Sequence, residues 1–279
     1  MFFSIHVWAQ TQKALDLEKT CFEMLGQFKG ASNKELLGRA CARVTVLDQC
    51  QSVNKVPLFH FQKEGYLKIP KRILVFSLIH GDEIGAGSVG RYWIENLERI
   101  SPRNTWRVIP ILNPDGLALK TRTNLNQIDL NRNFPTKDWS DSAQLYWKKT
   151  NMNPRRFPGK AAGSEPEVVC ALSHIQDFSP DFVVSIHTPL HVLDFDGPQI
   201  RPPKYDYLPW KSLGHFPGSL GRYLWFERET PVLTMELKQE LPQKFDTFEK
   251  LQDVIGTLVK FETGVHAKQK HLNEISSTQ

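Results

Sequence analysis

Apolar residues alternate along the chain between short continuous runs and helical spacing. The run Ile73–Ile79, bounded by basic residues and glycine, predicts a buried parallel strand. Glu83–Ile100 then has apolar positions at helical spacing, and Trp106–Leu112 predicts the next strand. The same patterns predict helices at Thr11–Gly30, Glu165–Phe178, Arg222–Glu229 and Phe245–Glu262, and strands at Arg43–Leu47, Val56–Phe61, Asp181–Ile186 and Pro231–Leu237.

This alternation predicts an α/β fold with a mostly parallel sheet and helices on both faces. The chain has no internal repeat and no Gly- or Ser-rich linker, so we expect one domain over residues 36–264. Residues 1–35 are predicted to form a helical extension, and the polar residues 265–279 a tail.

Composition excludes several classes of protein. Hydrophobic residues make up 40% of the 279 and charged residues 23%, which is ordinary for a globular chain and excludes wholesale disorder. The longest apolar run has about seven residues, far short of the ~20 that a membrane-spanning helix needs. The net charge of +5 does not indicate a nucleic-acid partner. We therefore expect neither a nucleic acid nor a membrane as partner.

The cysteines and the first residues bear on location. The four cysteines are not spaced as a CxxC pair, and in a chain of this length they do not suggest a disulfide framework. Met1–Gln10 has no basic segment of the kind that opens a secretory signal. We expect reduced thiols and a cytoplasmic protein. The cysteines are Cys21, Cys41, Cys50 and Cys170.

Ligand-type residues follow three of the predicted strands. His80 and Glu83 come after the first, His187 comes after the second, and Glu236 lies at the end of the third. Ligand sites of open parallel sheets form beyond the carboxyl ends of the strands, so we expect these side chains at one edge. Two His and one carboxylate form a usual catalytic zinc set, and a further carboxylate can serve as general base. Taken singly, each residue could instead have a purely structural role, as a hydrogen-bonded histidine at a strand end or a solvated glutamate.

A second group of polar residues follows the strand Trp106–Leu112. The turn sequence Asn113-Pro114-Asp115-Gly116 precedes Arg122 and then Asp129-Leu130-Asn131-Arg132-Asn133-Phe134-Pro135. Arginine suits bidentate binding of a carboxylate and stabilisation of an oxyanion. The alternative is a loop of solvated charges.

With these motifs in order (HGDE, NPDG, DLNRNFP, SIH and TMEL), the sequence resembles the zinc metallocarboxypeptidases from about His80 to Leu237. The resemblance implies one zinc per chain, held by His80, Glu83 and His187, with Glu236 as general base. It implies that Arg122 polarises the scissile carbonyl and that Asn131 and Arg132 hold a substrate carboxylate. The implied fold is a mixed, eight-stranded sheet with helices on both faces.

Within that family the chain looks most like the bacterial murein peptide amidases, which cut the γ-D-glutamyl–diaminopimelate bond of cell-wall peptides. The cues are HGDE, the stretch from His187 to Pro198, and the glycine-rich segment before TMEL. The resemblance implies a cytoplasmic enzyme of peptidoglycan recycling with a small peptide as substrate. The alternatives are a carboxypeptidase acting on α-linked peptides, a deacylase or desuccinylase, and a non-catalytic peptide-binding protein. The sequence does not give the oligomeric state.

Three finer expectations accompany this resemblance. Asp194 and Asp196 either recognise an amine of diaminopimelate or simply form a turn before Gly197-Pro198. Tyr223 is a candidate for a catalytic tyrosine, with a core aromatic as the alternative. The Thr188-Pro189 bond is expected to be cis, because the chain must turn sharply after His187.

Overall fold

A computed structural model describes residues 2–30, 32–198, 208–239, 250 and 255–259. It confirms the α/β class with helices on both faces of one sheet. The strands of the described chain are β1 (Thr45–Gln51), β2 (Pro57–Lys63), β3 (Arg72–Ser77), β4 (Thr105–Ile109), β5 (Phe182–His187), β6 (Val192–Asp196) and β7 (Val232–Glu236). The helices are α1 (Phe2–Gly26), α2 (Lys34–Cys41), α3 (Ile84–Arg99), α4 (Pro114–Leu119), α5 (Trp139–Lys149), α6 (Pro166–Phe178) and α7 (Leu220–Arg222), which continues into a π-helical turn (Tyr223–Glu227).

The sheet is mixed, with the order β1-β2-β4-β3-β5-β7-β6. Its centre, β4-β3-β5-β7, is parallel, while β1, β2 and β6 pair antiparallel. The expectations of a mostly parallel sheet and of eight strands are therefore wrong in detail, since the described residues form seven strands with three antiparallel pairings. The connections from β1 to β2 and from β5 to β6 are too short for the crossover that parallel pairing requires.

Two apolar clusters hold the layers together, one on each face of the sheet. On one face α3 packs on the sheet, and α1 and α2 pack on α3 and on each other; Leu25, Leu37 and Trp93 of these helices are all fully or almost fully buried. On the other face α6 packs through Val168 and Ile175. Ile73 and Val75 point to the first cluster and Leu74 and Phe76 to the second, which explains why this strand is a continuous apolar run.

Several elements differ from the sequence prediction. The sequence prediction did not include helices α2 and α5 or strand β6. The NPDG sequence begins the short helix α4 instead of forming a simple turn. Most of the predicted helix at residues 245–262 lies outside the described residues, although 255–259 are helical. The division into extension, domain and tail stays a prediction. In the described chain, no helix has both the length and the apolar character needed to cross a membrane.

All four cysteines form disulfides, which contradicts the expectation of reduced thiols. Cys21–Cys41 joins α1 to α2, and Cys50–Cys170 joins β1 to α6. The partners lie 20 and 120 residues apart in sequence, so no local spacing revealed them. Their proximity follows from the packing of α1 against α2 and of α6 against β1.

Candidate metal and active site

Two ligand-type residues lie in the connection between β3 and α3. His80 follows the strand, and Glu83 occupies the position just before the first turn of α3. Between them, Gly81 packs directly on α4, where an added Cβ would lie 2.0 Å from the carbonyl carbon of Gly116. A residue with a side chain therefore does not fit at position 81 without shifting α4.

His187, at the end of the neighbouring strand β5, completes a three-residue cluster. Its Nδ1 lies 3.2 Å from His80 Nδ1 and 2.9 Å from Glu83 Oε2, while His80 Nδ1 lies 2.7 Å from Glu83 Oε1. All three residues are buried, and their ligand atoms lie within 4.8 Å of one another. The structure thus brings together the three residues predicted as metal ligands, and the Thr188-Pro189 bond that follows them is cis, as expected.

The outer nitrogen of each histidine has its own partner. His80 Nε2 lies 3.2 Å from Asp129 Oδ1, and His187 Nε2 lies 2.9 Å from Ser185 Oγ. These contacts orient the rings so that both Nδ1 atoms face each other and Glu83. Asp129 lies within the DLNRNFP motif but received no role from the sequence, and Ser185 was likewise missed, because their part depends on which ring nitrogen they reach in the folded chain.

Charged groups around the cluster shift one another's pKa values. The histidines hold the pKa of Glu83 well below its usual range even though burial alone would raise it. Arg122 and His80 lower the pKa of the fully buried Asp129 in the same way. Burial and the Arg122 guanidinium would lower the pKa of His80, but the carboxylates of Glu83 and Asp129 outweigh them and raise it. Surroundings that favour a proton on this ring also favour a divalent cation in its place.

Arg122 reaches the cluster from the other side of Asp129. Its Nε donates to Asp129 Oδ2 at 3.0 Å, and its Nη1 lies 3.6 Å from Glu83 Oε1. Two ion-pair partners therefore fix the guanidinium next to the predicted ligands. This placement agrees with the predicted position beside a reacting carbonyl, without testing that role.

Asn131 and Arg132 follow Asp129 in a single 3₁₀ turn. Asn131 Oδ1 accepts a hydrogen bond from the Leu220 N–H at 2.8 Å, which fixes the amide group. Arg132 is only 7% exposed, its guanidinium lies 4.6 Å over the ring of Phe216, and its Nε has no hydrogen-bond partner in the described chain. A buried donor without a partner is costly, so this arginine is suited to an anionic ligand.

Glu236 ends β7 directly beside His187, its partner in the strand register. Its Oε2 lies 3.3 Å from the backbone N of Leu190, and no described lysine or arginine forms an ion pair with it. It is half-buried at the wall of the same cavity as the three ligand-type residues. The fourth residue predicted from a strand end is therefore within this site too.

One cavity of about 400 Å³ collects all seven predicted site residues. It is also lined by residues to which the sequence gave no firm role: Arg155, Arg156, Thr188, Asp194, Asp196, Phe216, Gly221 and Thr234. Tyr223 is not among the lining residues. It stacks on Phe134 and packs against the core, which agrees with the alternative that Tyr223 is a core aromatic residue. Asp115 of NPDG also lies elsewhere, accepting hydrogen bonds from Ser52 and Asn54, so this motif supports the fold around the site.

The family model described as zinc carboxypeptidase matches residues 44–206, more than half of the chain. The chain belongs to the zinc carboxypeptidase family. It is 31% identical over 211 residues to murein peptide amidase A of Vibrio campbellii, an alignment that covers 71% of this chain and 82% of that protein. It is 32% identical over 124 residues to the protein of the same name from Escherichia coli K12, an alignment that covers 43% of this chain and 50% of that protein.

Solved structures agree on the fold. Murein-tripeptide amidase MpaA from E. coli O157 superposes with a TM-score of 0.55 at 24% identity, covering 77% of this chain and 91% of that one. The carboxypeptidase A from Helicoverpa armigera gives a TM-score of 0.63 at 15% identity, and the superposition covers 89% of this chain and 81% of that one. At these identities the likeness concerns the fold alone.

The family implies zinc, and the donor set of this chain fits that ion. Two imidazole nitrogens and a carboxylate converge from a buried edge of the sheet, and each ring is held through its other nitrogen. Two His with one carboxylate is a usual set for catalytic zinc. His80, Glu83 and His187 are therefore the residues suited to hold it.

Proposed function

We propose that this enzyme is a zinc-dependent amidase that cleaves the γ-D-glutamyl–meso-diaminopimelate bond of peptides derived from peptidoglycan, with one zinc per chain. The observation that carries the proposal is the convergence of the ligand cluster, Glu236 and the two arginines Arg122 and Arg132 in one cavity. The chain also aligns with most of the length of a murein peptide amidase A. Because the substrate is a fragment of the cell wall, the enzyme would act in peptidoglycan recycling.

In this proposal His80, Glu83 and His187 hold the metal. When bound, zinc supplies a Lewis acid that polarises the scissile carbonyl and makes water a better nucleophile at neutral pH. Ser185 and Asp129 keep the two rings in the orientation this requires, because each binds the nitrogen on the far side from the cluster.

Glu236 acts as general base. Its carboxylate takes a proton from the attacking water and returns that proton to the leaving amine of diaminopimelate, so the carboxyl group ends the cycle as it began. Strand pairing places it beside His187, at the wall of the cavity that the water must occupy.

The cationic groups bind the two ends of the reacting amide. Arg122 donates hydrogen bonds to the carbonyl oxygen as negative charge develops on it, while Asp129 and Glu83 hold the guanidinium still. Asn131 and Arg132 bind the carboxylate next to the leaving amine. The buried Nε of Arg132, which has no partner in the described chain, supports this assignment.

A second candidate is a carboxypeptidase that cleaves α-linked peptides. The carboxylate-binding pair fits a free C-terminus equally well, and the chain is 29% identical over 144 residues to the Arabidopsis thaliana protein named carboxypeptidase SOL1. That alignment covers only 29% of the plant protein. We favour the amidase because its alignment with the Vibrio protein spans 82% of that protein.

The cytoplasmic location stays a prediction. Its premise of reduced thiols is contradicted by the two disulfides. A small peptide remains the proposed partner, in agreement with the dimensions of the cavity.

The test compares two substrates with one zinc-loaded preparation. L-Ala-γ-D-Glu-meso-diaminopimelate is assayed against an α-linked peptide with a free C-terminus, and kcat/KM is measured for each. We expect faster cleavage of the γ-linked peptide. Faster cleavage of the α-linked peptide would replace the amidase by the carboxypeptidase, and cleavage of neither would reject both.

A further inference from the structure

A second group of ligand-type side chains lies where α6 packs on β1, and none of its members lines the cavity of the catalytic cluster. Cys170 and His174 are four residues apart in α6, so their side chains share one face of that helix. Cys50 reaches the same place from β1. The two sulfurs and one ring nitrogen of His174 all lie within 4.8 Å of one another.

His174 is completely buried and has no hydrogen-bond partner in the described chain. Its exposed fraction is 0%, and neither Nδ1 nor Nε2 contacts a donor or acceptor among the described residues. A buried polar group without a partner is costly, and a neutral imidazole has both a donor and an acceptor to satisfy. Because one of these nitrogens is the atom that approaches the sulfurs, an ion held between them would give it a partner.

His60, on β2, packs edge to face against His174, with 4.8 Å between the ring centroids. Its Nε2 lies 3.1 Å from Thr45 Oγ1, whereas its buried Nδ1 has no hydrogen-bond partner among the described residues. Metal-binding histidines are usually held in this way, with one nitrogen fixed by a neighbour and the other left for the ion. His60 is therefore suited to act as a further donor beside His174.

The surroundings keep both imidazoles neutral, which is the form that binds a metal ion. Burial and the Arg107 guanidinium lower the pKa of His60 to about 4, and burial, His60 and Arg107 lower the pKa of His174. Arg107 is itself paired with Asp177 at 2.6 Å. Two thiolates would balance the charge of a divalent cation, so an occupied site would bury no net charge.

We propose that Cys50 and Cys170, when reduced, bind a second, structural Zn²⁺ together with His174, with His60 as the fourth donor. The two sulfurs thus hold a disulfide in the oxidised chain and a metal ion in the reduced chain. Two cysteines with two histidines form a usual tetrahedral set for structural zinc. This site is separate from the catalytic cluster and does not depend on the proposed reaction.

The two states differ by two electrons and by the metal ion. A dithiol reductant supplies two electrons and two protons, the S–S bond breaks to give two thiols, and the reductant becomes a disulfide. Binding of Zn²⁺ then releases both thiol protons to solvent, because the ligands are thiolates. Cys50 and Cys170 are only 2% and 1% exposed, so we expect this chemistry before the chain folds or when α6 opens from β1.

The test uses Co²⁺ in place of Zn²⁺, because cobalt reports its ligands by absorption. The full chain is reduced with a phosphine in denaturant, refolded without oxygen in the presence of Co²⁺, and compared with the oxidised chain. Thiolate ligands give a sulfur-to-cobalt charge-transfer band in the near ultraviolet, which a site of two histidines and a glutamate cannot give. We expect this band, and one more cobalt ion per chain, in the reduced form alone.

Two results with the wild type would overturn the proposal. The first is a folded, reduced chain with four free thiols and no charge-transfer band. The second is a reduced chain that does not fold even with Co²⁺, because the ion is expected to join β1 to α6 in place of the disulfide.

The second disulfide of the described chain provides the matched control. Cys21 and Cys41 form no group of metal-ligand type with a histidine among the described residues. The double variant Cys21→Ser/Cys41→Ser should therefore keep the band, and Cys50→Ser/Cys170→Ser should lose it. The opposite result would place the cobalt at the other cysteines and refute the proposal. His80→Ala, which removes a ligand of the catalytic cluster, should keep the band, so that failure of the catalytic site is recognised separately.

Leucine variants assign the histidines while nearly keeping their volume. Loss of an outer partner already weakens metal binding about 10- to 100-fold, so His174→Leu should weaken cobalt binding at the thiolate site by at least about 100-fold. His60→Leu should weaken it by at least about 10-fold. Thermal unfolding of the oxidised variants checks that they fold. Wild-type affinity in reduced His174→Leu would overturn the site, and wild-type affinity in His60→Leu would overturn the assignment of the fourth donor.

Discussion

Replacing Asp129 by asparagine tests the support of the zinc site most directly. Asp129 is fully buried, and three donors point at its carboxylate: His80 Nε2 at 3.2 Å and the Asn131 N–H at 3.0 Å on Oδ1, and Arg122 Nε at 3.0 Å on Oδ2. An amide has one acceptor oxygen. If its oxygen keeps the two contacts of Oδ1, its NH₂ group faces Arg122 donor to donor, and if it flips, His80 and Asn131 lose their acceptor.

The size of the effect on zinc binding and on kcat follows from the hydrogen bonds that Asp129→Asn loses. A hydrogen bond to a charged group contributes about 1.5–3 kcal/mol, and losing an outer partner of a ligating histidine usually weakens metal binding about 10- to 100-fold. We expect zinc affinity to fall within that range. Displacing Arg122 should also lower kcat by about 10²–10³, as when a donor to the developing oxyanion is removed.

The measurements are a zinc dissociation constant from competition with a chelator, and kcat at saturating zinc. The two must be separated, because loss of metal alone would be restored by added zinc, whereas displacement of Arg122 would not. Asp141→Asn serves as the exposed control. A folded Asp129→Asn enzyme whose zinc affinity and kcat are within about twofold of the wild type would refute this account of Asp129.

Three further predictions concern other parts of the molecule. Glu236→Gln should keep full zinc occupancy and lower kcat by about 10²–10⁴, and near-normal turnover would mean that another group is the base. Burial, His60 and Arg107 lower the pKa of His174, so its neutral form stabilises the fold above about pH 6.5 and that stability is lost as the pH falls. His174→Leu should therefore reduce the slope of unfolding free energy against pH below 6.5 by up to ~1.4 kcal/mol per unit, and an unchanged slope would contradict it. Replacing Cys50 and Cys170 together by serine should lower the free energy of unfolding by about 2–5 kcal/mol, measured against the reduced and oxidised wild type, and a variant as stable as the oxidised protein would contradict it.

The catalytic edge of the sheet was predictable because its signal is local. Ile73–Ile79 and the strand before His187 are buried on both faces, so their apolar runs show where parallel strands end. Parallel neighbours end at the same edge, which is why residues 80, 187 and 236 meet although they are far apart in sequence. A pattern within a few residues thus determined the position of the site.

Other features depend on contacts that no short stretch of sequence contains. The Cys50–Cys170 disulfide requires α6 to pack on β1, and the role of Asp129 requires His80 to turn its Nε2 towards it. The NPDG sequence has the residues of a turn, yet Asn113 caps a helix by accepting the N–H of Gly116. In each case local propensity allowed several structures, and tertiary packing selected one.

Asp194 and Asp196 show how such a selection changes a functional conclusion. Read without β6, an aspartate before Gly197-Pro198 is explained by a turn, because aspartate commonly hydrogen-bonds the backbone there. The structure instead places both residues inside a strand paired with β7, where Asp194 faces Thr234 and Asp196 faces Val232 in the register. A turn therefore no longer explains them. The two carboxylates are instead buried on one face of the edge strand β6, at the wall of the cavity that also contains the Nε of Arg132, unpaired in the described chain, so they belong to the surroundings of the active site.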